Sequence, residues 1–306
     1  MVFVHEALIY DNDEKFVAAL TPFLVEGLRR REAAVAVVPE HNTALLRASL
    51  GADAEQVTFI DSAEWYQRPA STIAGWTELV GAARERGHPL VRIVGEVEFG
   101  SGARHDTWTR YESAVNDVFA TVPAWVICPY DTRRLPGRVL ADALRTHPLV
   151  RAGGCGRSEL YQRPDHLLRT MAEPLPPVGA TPLVVMSLTD PLSIRRVRRA
   201  IEAIAHNLGW DRAAVNGLLL VVNEVALNSL AHGRGNRLVQ VWVEQAAITC
   251  EVTDDGDGPA DPLVGYRPPE NPREAGVGLW IANQLSDWLA IEHRDGTNRV
   301  RFRCGR

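Results

Sequence analysis

The stretch Asn223–Gly233, NEVALNSLAHG, carries an acid and an amide, Glu224 and Asn228, at a spacing of four residues. On an α-helix this spacing places both side chains on one face, one turn apart. Asp211 is a suitable N-cap upstream, and Gly233 is a typical helix end. Polar groups buried without partners cost about 1–3 kcal/mol each. The pair therefore either caps a loop or faces solvent, or it belongs to a functional site.

Two glycine-containing stretches downstream favour a functional site. Thr253–Gly258, TDDGDG, follows an alternating pattern that predicts a strand, and Gly276–Leu279, GVGL, opens an apolar helical pattern. A carboxylate at a strand end can accept a hydrogen bond from the adenine amino group, and glycines let backbone approach a ligand. A helix start presents free N–H groups to phosphates. Each glycine motif alone is also an ordinary turn, so the order of the three motifs carries the prediction.

Residues Pro191–Phe302 resemble the GHKL ATPase domain, and specifically the anti-sigma factor kinases of the RsbW/SpoIIAB type. The resemblance implies a GHKL-type α/β sandwich that binds ATP and Mg²⁺. It implies that Glu224 is the general base and that Asn228 is the Mg²⁺ ligand. It also implies that Pro259–Ala275 forms a lid over the ATP. The nucleotide-binding residues that it implies are Asn228, Asp254, Gly256, Gly258, Gly276, Val277, Gly278 and Leu279.

The same resemblance implies an activity and its partners. The activity is phosphorylation of a serine or threonine in a STAS-domain anti-sigma antagonist, with an alternative sigma factor as the sequestered target, and the protein is expected to form a homodimer. Two alternatives stay open: an anti-sigma module that binds ATP without transferring phosphate, and a sensor histidine kinase phosphorylated on His206. The histidine kinase is disfavoured because only one predicted helix fits between Pro191 and Trp210, whereas a two-component transmitter needs a dimerising helical hairpin.

The first half of the chain alternates strand-like and helix-like patterns. This alternation predicts a three-layer α/β unit with a mostly parallel sheet. The predicted strands are Phe3–Tyr10, Ala33–Val38, Val57–Ile60, Leu90–Val94 and Ala124–Cys128.

Polar residues accompany several of these strands. Functional residues in open α/β folds lie beyond the carboxyl ends of the strands. We therefore expect His5, Tyr10, Glu96 and Asp131 to be candidates that line a shared crevice. The alternative for each acid is that it caps the following helix, which is a common use of aspartate.

The run from His5 to Leu28, HEALIYDNDEKFVAALTPFLVEGL, is followed by the dipeptide Gly95-Glu96 and later by CPYDTRRLP and THP. With these motifs, residues Val4–Tyr161 resemble the MEDS, or DcmR-like sensory, domain, which is related to RecA/KaiC-type ATPase folds. The resemblance implies a RecA/KaiC-like sensory domain whose ligand is a small organic molecule or another protein.

A proline-rich stretch separates the two halves. Prolines in close succession interrupt helices and favour extended chain. We therefore predict a sensory domain at 1–162, a linker at 163–182 and an ATPase domain at 183–306. The prolines are Pro164, Pro174, Pro176, Pro177 and Pro182.

Composition excludes several classes of protein. A net charge of -5 over 306 residues gives no reason to expect direct nucleic-acid binding. Lys15 is the only lysine and has no glycine beside it, which excludes a P-loop. The 4 cysteines form no C-x-x-C pair, and the N-terminus does not read as a signal peptide, so we expect a reduced, cytoplasmic protein. No apolar run approaches the ~20 residues of a membrane span, so we expect no membrane contact.

Overall fold

The structure is a computed structural model that describes residues 3–100, 103–171, 175–179, 181–268 and 276–305, without the side chains of residues 103 and 104. The chain divides into two compact units, Met1–Met171 and Ala172–Arg306. Each unit has its own sheet and its own buried core.

Among the described residues, a seven-stranded sheet forms the centre of the first unit. Its strands are β1 (Val4–Tyr10), β2 (Ala33–Val38), β3 (Val57–Asp61), β4 (Val91–Gly95), β5 (Ala124–Asp131), β6 (Leu149–Arg151) and β7 (Cys155–Arg157). Their order is β3-β2-β4-β5-β1-β6-β7, and every neighbouring pair is parallel except β6 with β7. The nearly continuous apolar runs in β2 and β4 suit strands that are covered on both faces.

Helices connect these strands. They are α1 (Asp13–Arg29), α2 (Glu40–Leu50), α3 (Ser62–Trp65), α4 (Pro69–Glu85), α5 (Ala103–Val118), α6 (Gly137–Thr146) and α7 (Pro164–Thr170), with a 3₁₀ helix at Gly51–Gln56. The chain moves one way along the sheet from β1 to β3 and then returns through β4 and β5. Because parallel crossovers are right-handed, α1 and α2 lie on one face and α4, α5 and α6 on the other. The three-layer α/β unit predicted from the sequence is confirmed.

Asn12 caps α1, because its side-chain oxygen accepts a hydrogen bond from the Lys15 backbone N–H at 2.8 Å. The sequence patterns did not predict α6, β6 or β7.

The boundary between the units lies after Met171. Residues 163–171 were assigned to the linker, but they include α7, which packs against α5. The guanidinium of Arg110 on α5 donates to the backbone oxygens of Leu168 and Met171, at 3.2 and 2.8 Å. A short helix is therefore compatible with this proline-containing stretch, because Pro164 occupies its first turn, where no N–H partner is needed.

The second unit is a two-layer α/β sandwich. Its five-stranded antiparallel sheet has the order β11-β12-β10-β9-β8, and three described helices pack against it. The strands are β8 (Val184–Ser187), β9 (Leu238–Glu244), β10 (Ala247–Asp254), β11 (Trp288–Arg294) and β12 (Thr297–Cys304). The helices are α8 (Pro191–Asn207), α9 (Arg212–His232) and α10 (Val277–Leu285). Strands β9 and β10 form a central hairpin, β11 and β12 form a second hairpin, and β8 lies at one edge of the sheet.

Helix α9 is long and apolar enough to cross a membrane by length and composition. In the structure it packs within the core of the second unit, where Val215, Leu218 and Val222 contact the same cluster as Val241 and Phe302. Its apolar character is therefore explained by core packing.

Candidate functional site

Helix α9 supplies the acid and the amide. Asp211 caps the helix by accepting from the Ala214 N–H at 2.8 Å, and Gly233 ends it. Glu224 and Asn228 are both partly buried and lie one turn apart, as predicted. The helix therefore carries both side chains toward the start of α10.

The carboxylate of Asp254, at the end of β10, is 3% exposed. Its Oδ2 accepts from the hydroxyl of Ser229 at 2.9 Å, and its Oδ1 accepts from the N–H of Gly256 at 2.9 Å. Each oxygen keeps a further lone pair. Since Asp254 lines a cavity, these lone pairs are available to an amino group of a ligand.

Glycines lie at three positions where the backbone passes close to the carboxylate of Asp254 or Glu224. A Cβ at Gly233 would lie 2.7 Å from the Cγ of Asp254, and one at Gly256 would lie 2.8 Å from its Oδ1. A Cβ at Gly278 would lie 2.5 Å from the Oε2 of Glu224. Only glycine lets the backbone pass this close to the acids.

The amino end of α10 forms the opposite side of the site. Gly276 precedes the helix with φ +94, a left-handed conformation that favours glycine. The backbone N–H groups of Val277, Gly278 and Leu279 belong to the first turn, where an α-helix offers no internal acceptor. This helix start therefore presents free donors and a positive dipole end.

These elements surround a cavity of about 700 Å³. This volume is within the range of small-molecule pockets. Glu224 and Gly278 do not line the cavity but contact each other beside it. The predicted residues that line it are Asn228, Asp254, Gly256, Gly258, Gly276, Val277 and Leu279.

Ser229 and Asn298 are polar lining residues that the sequence analysis did not predict. Ser229 follows Asn228 directly, and its hydroxyl orients Asp254. Asn298 lies opposite Asp254 in the pairing of β10 with β12, and its buried side-chain oxygen has no hydrogen-bond partner among the described residues. A ligand with a donor group in this part of the cavity would satisfy that oxygen.

The donor set fits an adenine nucleotide. Asp254 and Asn298 offer acceptors at one end of the cavity, and the start of α10 offers N–H donors. The apolar side chains of Leu279, Ile291 and Val300 line the same cavity and suit a planar base. Mg²⁺ prefers oxygen ligands and keeps several waters and phosphates, so the single side-chain oxygen of Asn228 fits its requirements.

The sensory-site candidates divide into two groups. Tyr10 and Glu96 lie together, because the Nδ2 of Asn42 is 2.6 Å from the Oε2 of Glu96 and 3.4 Å from the Tyr10 hydroxyl. Asp131 ends the neighbouring strand β5, and its carboxylate is held by the guanidinium of Arg133, with contacts of 2.8 and 2.9 Å. These residues meet at the carboxyl ends of β1, β4 and β5.

His5 lies apart from this group. It occupies the amino-terminal part of β1, and its imidazole contacts Glu112, Asn116 and Cys128. His5 also lines a largely apolar cavity of about 30 Å³, together with Trp76. The structure therefore assigns His5 to a different site from the other three candidates.

Burial changes the acid–base behaviour of the crevice. It raises the pKa of Glu96 to about 7, and the hydrogen bond from Asn42 only partly offsets this effect. Burial, with the nearby Glu96, also raises the pKa of Tyr10. Burial alone would raise the pKa of Asp131, but the hydrogen bonds from Arg133 outweigh it and lower that pKa. Glu96 is therefore the group of the three that titrates near neutral pH.

Comparison with protein families identifies a domain in each of the two units. Residues 4–148 match the family model described as the MEthanogen/methylotroph, DcmR Sensory domain, or MEDS. Residues 188–304 match the histidine kinase-like ATPase domain. The chain is a MEDS domain fused to a histidine kinase-like ATPase domain. The fusion predicted from the two sequence resemblances is thereby confirmed, and its second half belongs to a class of domain that binds ATP.

Comparison with individual proteins adds little. No curated protein matches the chain. Among solved structures, the histidine kinase AdeS of Acinetobacter baumannii is 12% identical, covers 41% of this chain and 68% of its own, and has a TM-score of 0.25. At that score the similarity supports no argument about function.

The predicted lid of the ATPase domain is described up to residue 268. Leu263 and Val264 line the nucleotide cavity, and the guanidinium of Arg267 pairs with Asp261 at 2.8 Å. Residues 269–275 of the predicted lid lie outside the described residues.

Proposed function

We propose that this protein is a sensory protein kinase. Its ATPase domain transfers the terminal phosphoryl group of ATP to a serine or threonine hydroxyl of a STAS-domain anti-sigma antagonist. Through that antagonist it controls an alternative sigma factor. The observation that carries the proposal is the position of the Glu224 carboxylate, against Gly278 at the start of α10 and one turn from Asn228. A module that only binds nucleotide has no need of an acid there.

The transfer has a simple chemical balance. The acceptor hydroxyl oxygen forms a bond to the γ-phosphorus, the bond from that phosphorus to the β,γ-bridging oxygen breaks, and ADP leaves. Glu224 accepts the hydroxyl proton. The N–H groups at the start of α10 bind the phosphate oxygens and stabilise their charge. Asn228 holds Mg²⁺, which supplies the remaining charge compensation when bound.

The adenine end fixes the nucleotide in the cavity. Asp254 accepts from the exocyclic amino group while its own orientation is held by Ser229 and Gly256. Because these two donors are already in place, little reorganisation accompanies binding. The apolar wall at Leu279 and Val300 excludes water from the base.

The main experiment measures phosphate transfer from γ-labelled ATP to candidate STAS-domain proteins by the full chain. We expect Glu224→Ala to lower the transfer rate by about 10²–10⁴-fold, which is the usual contribution of general base catalysis. ATP affinity, measured by calorimetry, should persist in this variant. Glu202→Gln on α8, which does not line the cavity, serves as the matched control and should retain full activity.

The chemistry of the labelled product separates the alternatives. A phosphoserine or phosphothreonine on the partner supports the proposal. An acid-labile label on the chain itself, lost in His206→Ala, would instead identify a histidine kinase. ATP binding without transfer to any acceptor would identify a nucleotide-binding anti-sigma module.

The sensory domain is expected to bias this activity, because it is fused to the kinase and carries its own group of buried polar residues at the carboxyl ends of its strands. Deletion of residues 1–170 tests the coupling. If transfer rate and partner choice were the same with and without these residues under every condition, the sensory domain would have no regulatory role.

A further inference from the structure

Four side chains with metal-binding chemistry converge inside the MEDS domain. They are His5, Glu112, Cys128 and His147, and all are buried, with exposures of 3%, 1%, 4% and 0%. His5 on β1 and Cys128 on β5 point to one face of the sheet, because Cys128 pairs with Ala7, two residues beyond His5. Glu112 comes from α5, and His147 directly follows α6. Residues distant in sequence therefore form one cluster.

The separations within the cluster match the edges of a metal-centred tetrahedron. Glu112 Oε2 lies 3.2 Å from the Nε2 of His5 and 3.2 Å from the Nε2 of His147. The Sγ of Cys128 lies 3.3 Å from His5 Nε2 and 3.8 Å from Glu112 Oε2. In a tetrahedral zinc site with bonds of about 2.0–2.3 Å, ligand atoms lie about 3.3–3.8 Å apart. Four of the six separations are thus close to this range, and all four ligand atoms lie within 4.8 Å of one another.

The tautomer of His5 is fixed by its neighbour. The Nδ2 of Asn116 donates to three backbone carbonyls at 2.8–3.1 Å, so the Oδ1 of Asn116 must face the other way as an acceptor. This oxygen lies 3.1 Å from the Nδ1 of His5. The Nδ1 therefore carries the proton, and the Nε2 turns a free lone pair toward Cys128 and Glu112.

The tautomer of His147 is fixed in the same way. Its Nδ1 lies 2.9 Å from the backbone oxygen of Ala143, which can only accept, so Nδ1 carries the proton. Within the part of the chain that the structure describes, the Nε2 of His147 has no well-aligned hydrogen-bond partner, although a carboxylate oxygen of Glu112 is 3.2 Å away. The second oxygen of Glu112 has no partner among the same residues. Such outer hydrogen bonds are the arrangement that orients metal-ligating histidines.

A divalent cation resolves the electrostatics of this arrangement. Two imidazole lone pairs directed at one carboxylate repel unless protons or a cation lie between them. The charge of a divalent ion balances the combined charge of one thiolate and one carboxylate. The buried cluster is then neutral as a whole, which avoids the cost of a buried net charge.

We propose that His5, Glu112, Cys128 and His147 bind one divalent transition-metal ion of the zinc type in the core of the MEDS domain. The set of two nitrogens, one sulfur and one oxygen is typical of zinc, whereas Mg²⁺ and Ca²⁺ prefer oxygen ligands alone. The site ties β1 and β5 to α5 and to the end of α6. It is independent of the proposed kinase activity, because none of its ligands lies in the ATPase domain.

The test uses the full chain, stripped of metal by a chelator and titrated with Zn²⁺ or Co²⁺ in the absence of nucleotide. We expect one equivalent to bind and Co²⁺ to give a thiolate-to-cobalt charge-transfer band. Cys128→Ser should abolish the band and weaken Zn²⁺ binding at least ~100-fold, since loss of a ligand's hydrogen-bond partner alone costs about 10–100-fold. Asn116→Ala tests that weaker effect and should keep the band.

Two variants serve as controls. Cys250→Ser removes a buried cysteine of the ATPase domain, and Asn228→Ala removes the proposed Mg²⁺ ligand; both should keep the band and the affinity. If Cys128→Ser does not fold, the wild-type cobalt spectrum still decides the question. Absence of stoichiometric metal, bound cobalt without a thiolate band, or equal affinity in a folded Cys128→Ser would each overturn the proposal.

Discussion

The hydrogen bonds that stabilise buried carboxylates differ between the two domains, as Asp254 of the ATPase domain and Glu96 of the MEDS domain show. Asp254 receives one hydrogen bond per oxygen, from Ser229 and from the N–H of Gly256 two residues away. Glu96 receives one from Asn42, 54 residues away in sequence, and burial raises its pKa to about 7. Residues nearby in the sequence orient the carboxylate of Asp254 so that it can accept a hydrogen bond from a ligand. The raised pKa of Glu96 instead lets its charge change near neutral pH.

This difference teaches how each acid relates to function. Asp254 borders a wide cavity, so under the proposed function a nucleotide would complete its hydrogen bonding. Glu96 shares its only described side-chain donor with Tyr10, whose pKa is also raised by burial. A ligand or a change of pH that alters the charge on Glu96 therefore changes the stability of the crevice around it.

Glu96→Gln is expected to have the largest effect on stability. Because the folded-state pKa of Glu96 is raised above its unfolded value, stability falls as pH rises between about 4.5 and about 7. Above that window the ionised carboxylate costs on the order of 3 kcal/mol. Glutamine avoids this cost while still accepting from Asn42, so the variant should be more stable than wild type at pH ~8 and nearly equal at pH ~4.5.

Hydrogen exchange of peptides from the MEDS domain measures this stability in the full chain. Glu98→Gln, at a neighbouring acid that accepts from Ser62, is the matched control. Equal protection of wild type and Glu96→Gln at pH ~8 would contradict a raised pKa at Glu96.

Asp254→Asn is expected to weaken ATP binding by about 10–100-fold, or about 1–3 kcal/mol. The variant replaces one of the two accepting carboxylate oxygens with an NH2 group, which cannot accept a hydrogen bond. Its single oxygen cannot serve Ser229, Gly256 and the adenine amino group together. Isothermal titration calorimetry with ATP measures the loss. Asp257→Asn, a matched change at an exposed acid in the same loop, should leave the affinity unchanged. Equal weakening of ATP and of a nucleotide without an exocyclic amino group at this position would show that Asp254 does not bind that group.

Ser229→Ala is expected to have the smallest effect. The Asp254 carboxylate keeps its bond from Gly256, and the adjacent cavity can admit water, so ATP affinity should fall by no more than about tenfold. The same titration measures it. A loss as large as that of Asp254→Asn would mean that orientation by Ser229, and not the charge of Asp254, controls adenine binding.

More of the candidate nucleotide site than of the sensory domain's candidate sites could be predicted from the sequence. Glu224, Asn228, Asp254 and the glycines lie in short motifs whose spacing already places them on a helix face, at a strand end or at a helix start. Ser229 and Asn298 escaped notice because a serine or an asparagine has no distinctive pattern. Asn298 in particular reaches the cavity only through the pairing of β12 with β10.

The sensory domain shows the opposite case. Hydrophobic periodicity predicted its five principal strands and therefore its layered α/β architecture. It did not predict which polar side chains contact one another. Asn42 lies in a helix and joins Tyr10 to Glu96 only after folding. His5 was predicted to line the crevice although it lies near the start of β1. The sequence pattern predicts a strand but does not show which polar residues of other elements lie near each end.

The sequence by itself determined the two-domain organisation, the order of the main strands and helices, and the nucleotide motifs, because hydrophobic periodicity and capping are local properties of the chain. Only the tertiary structure decided that α7, which lies inside the predicted linker, packs against the first unit. It also decided which buried groups contact one another. His5, Glu112, Cys128 and His147 converge through strand register and helix packing. Such long-range contacts depend on the whole fold, so no short segment of the sequence encodes them.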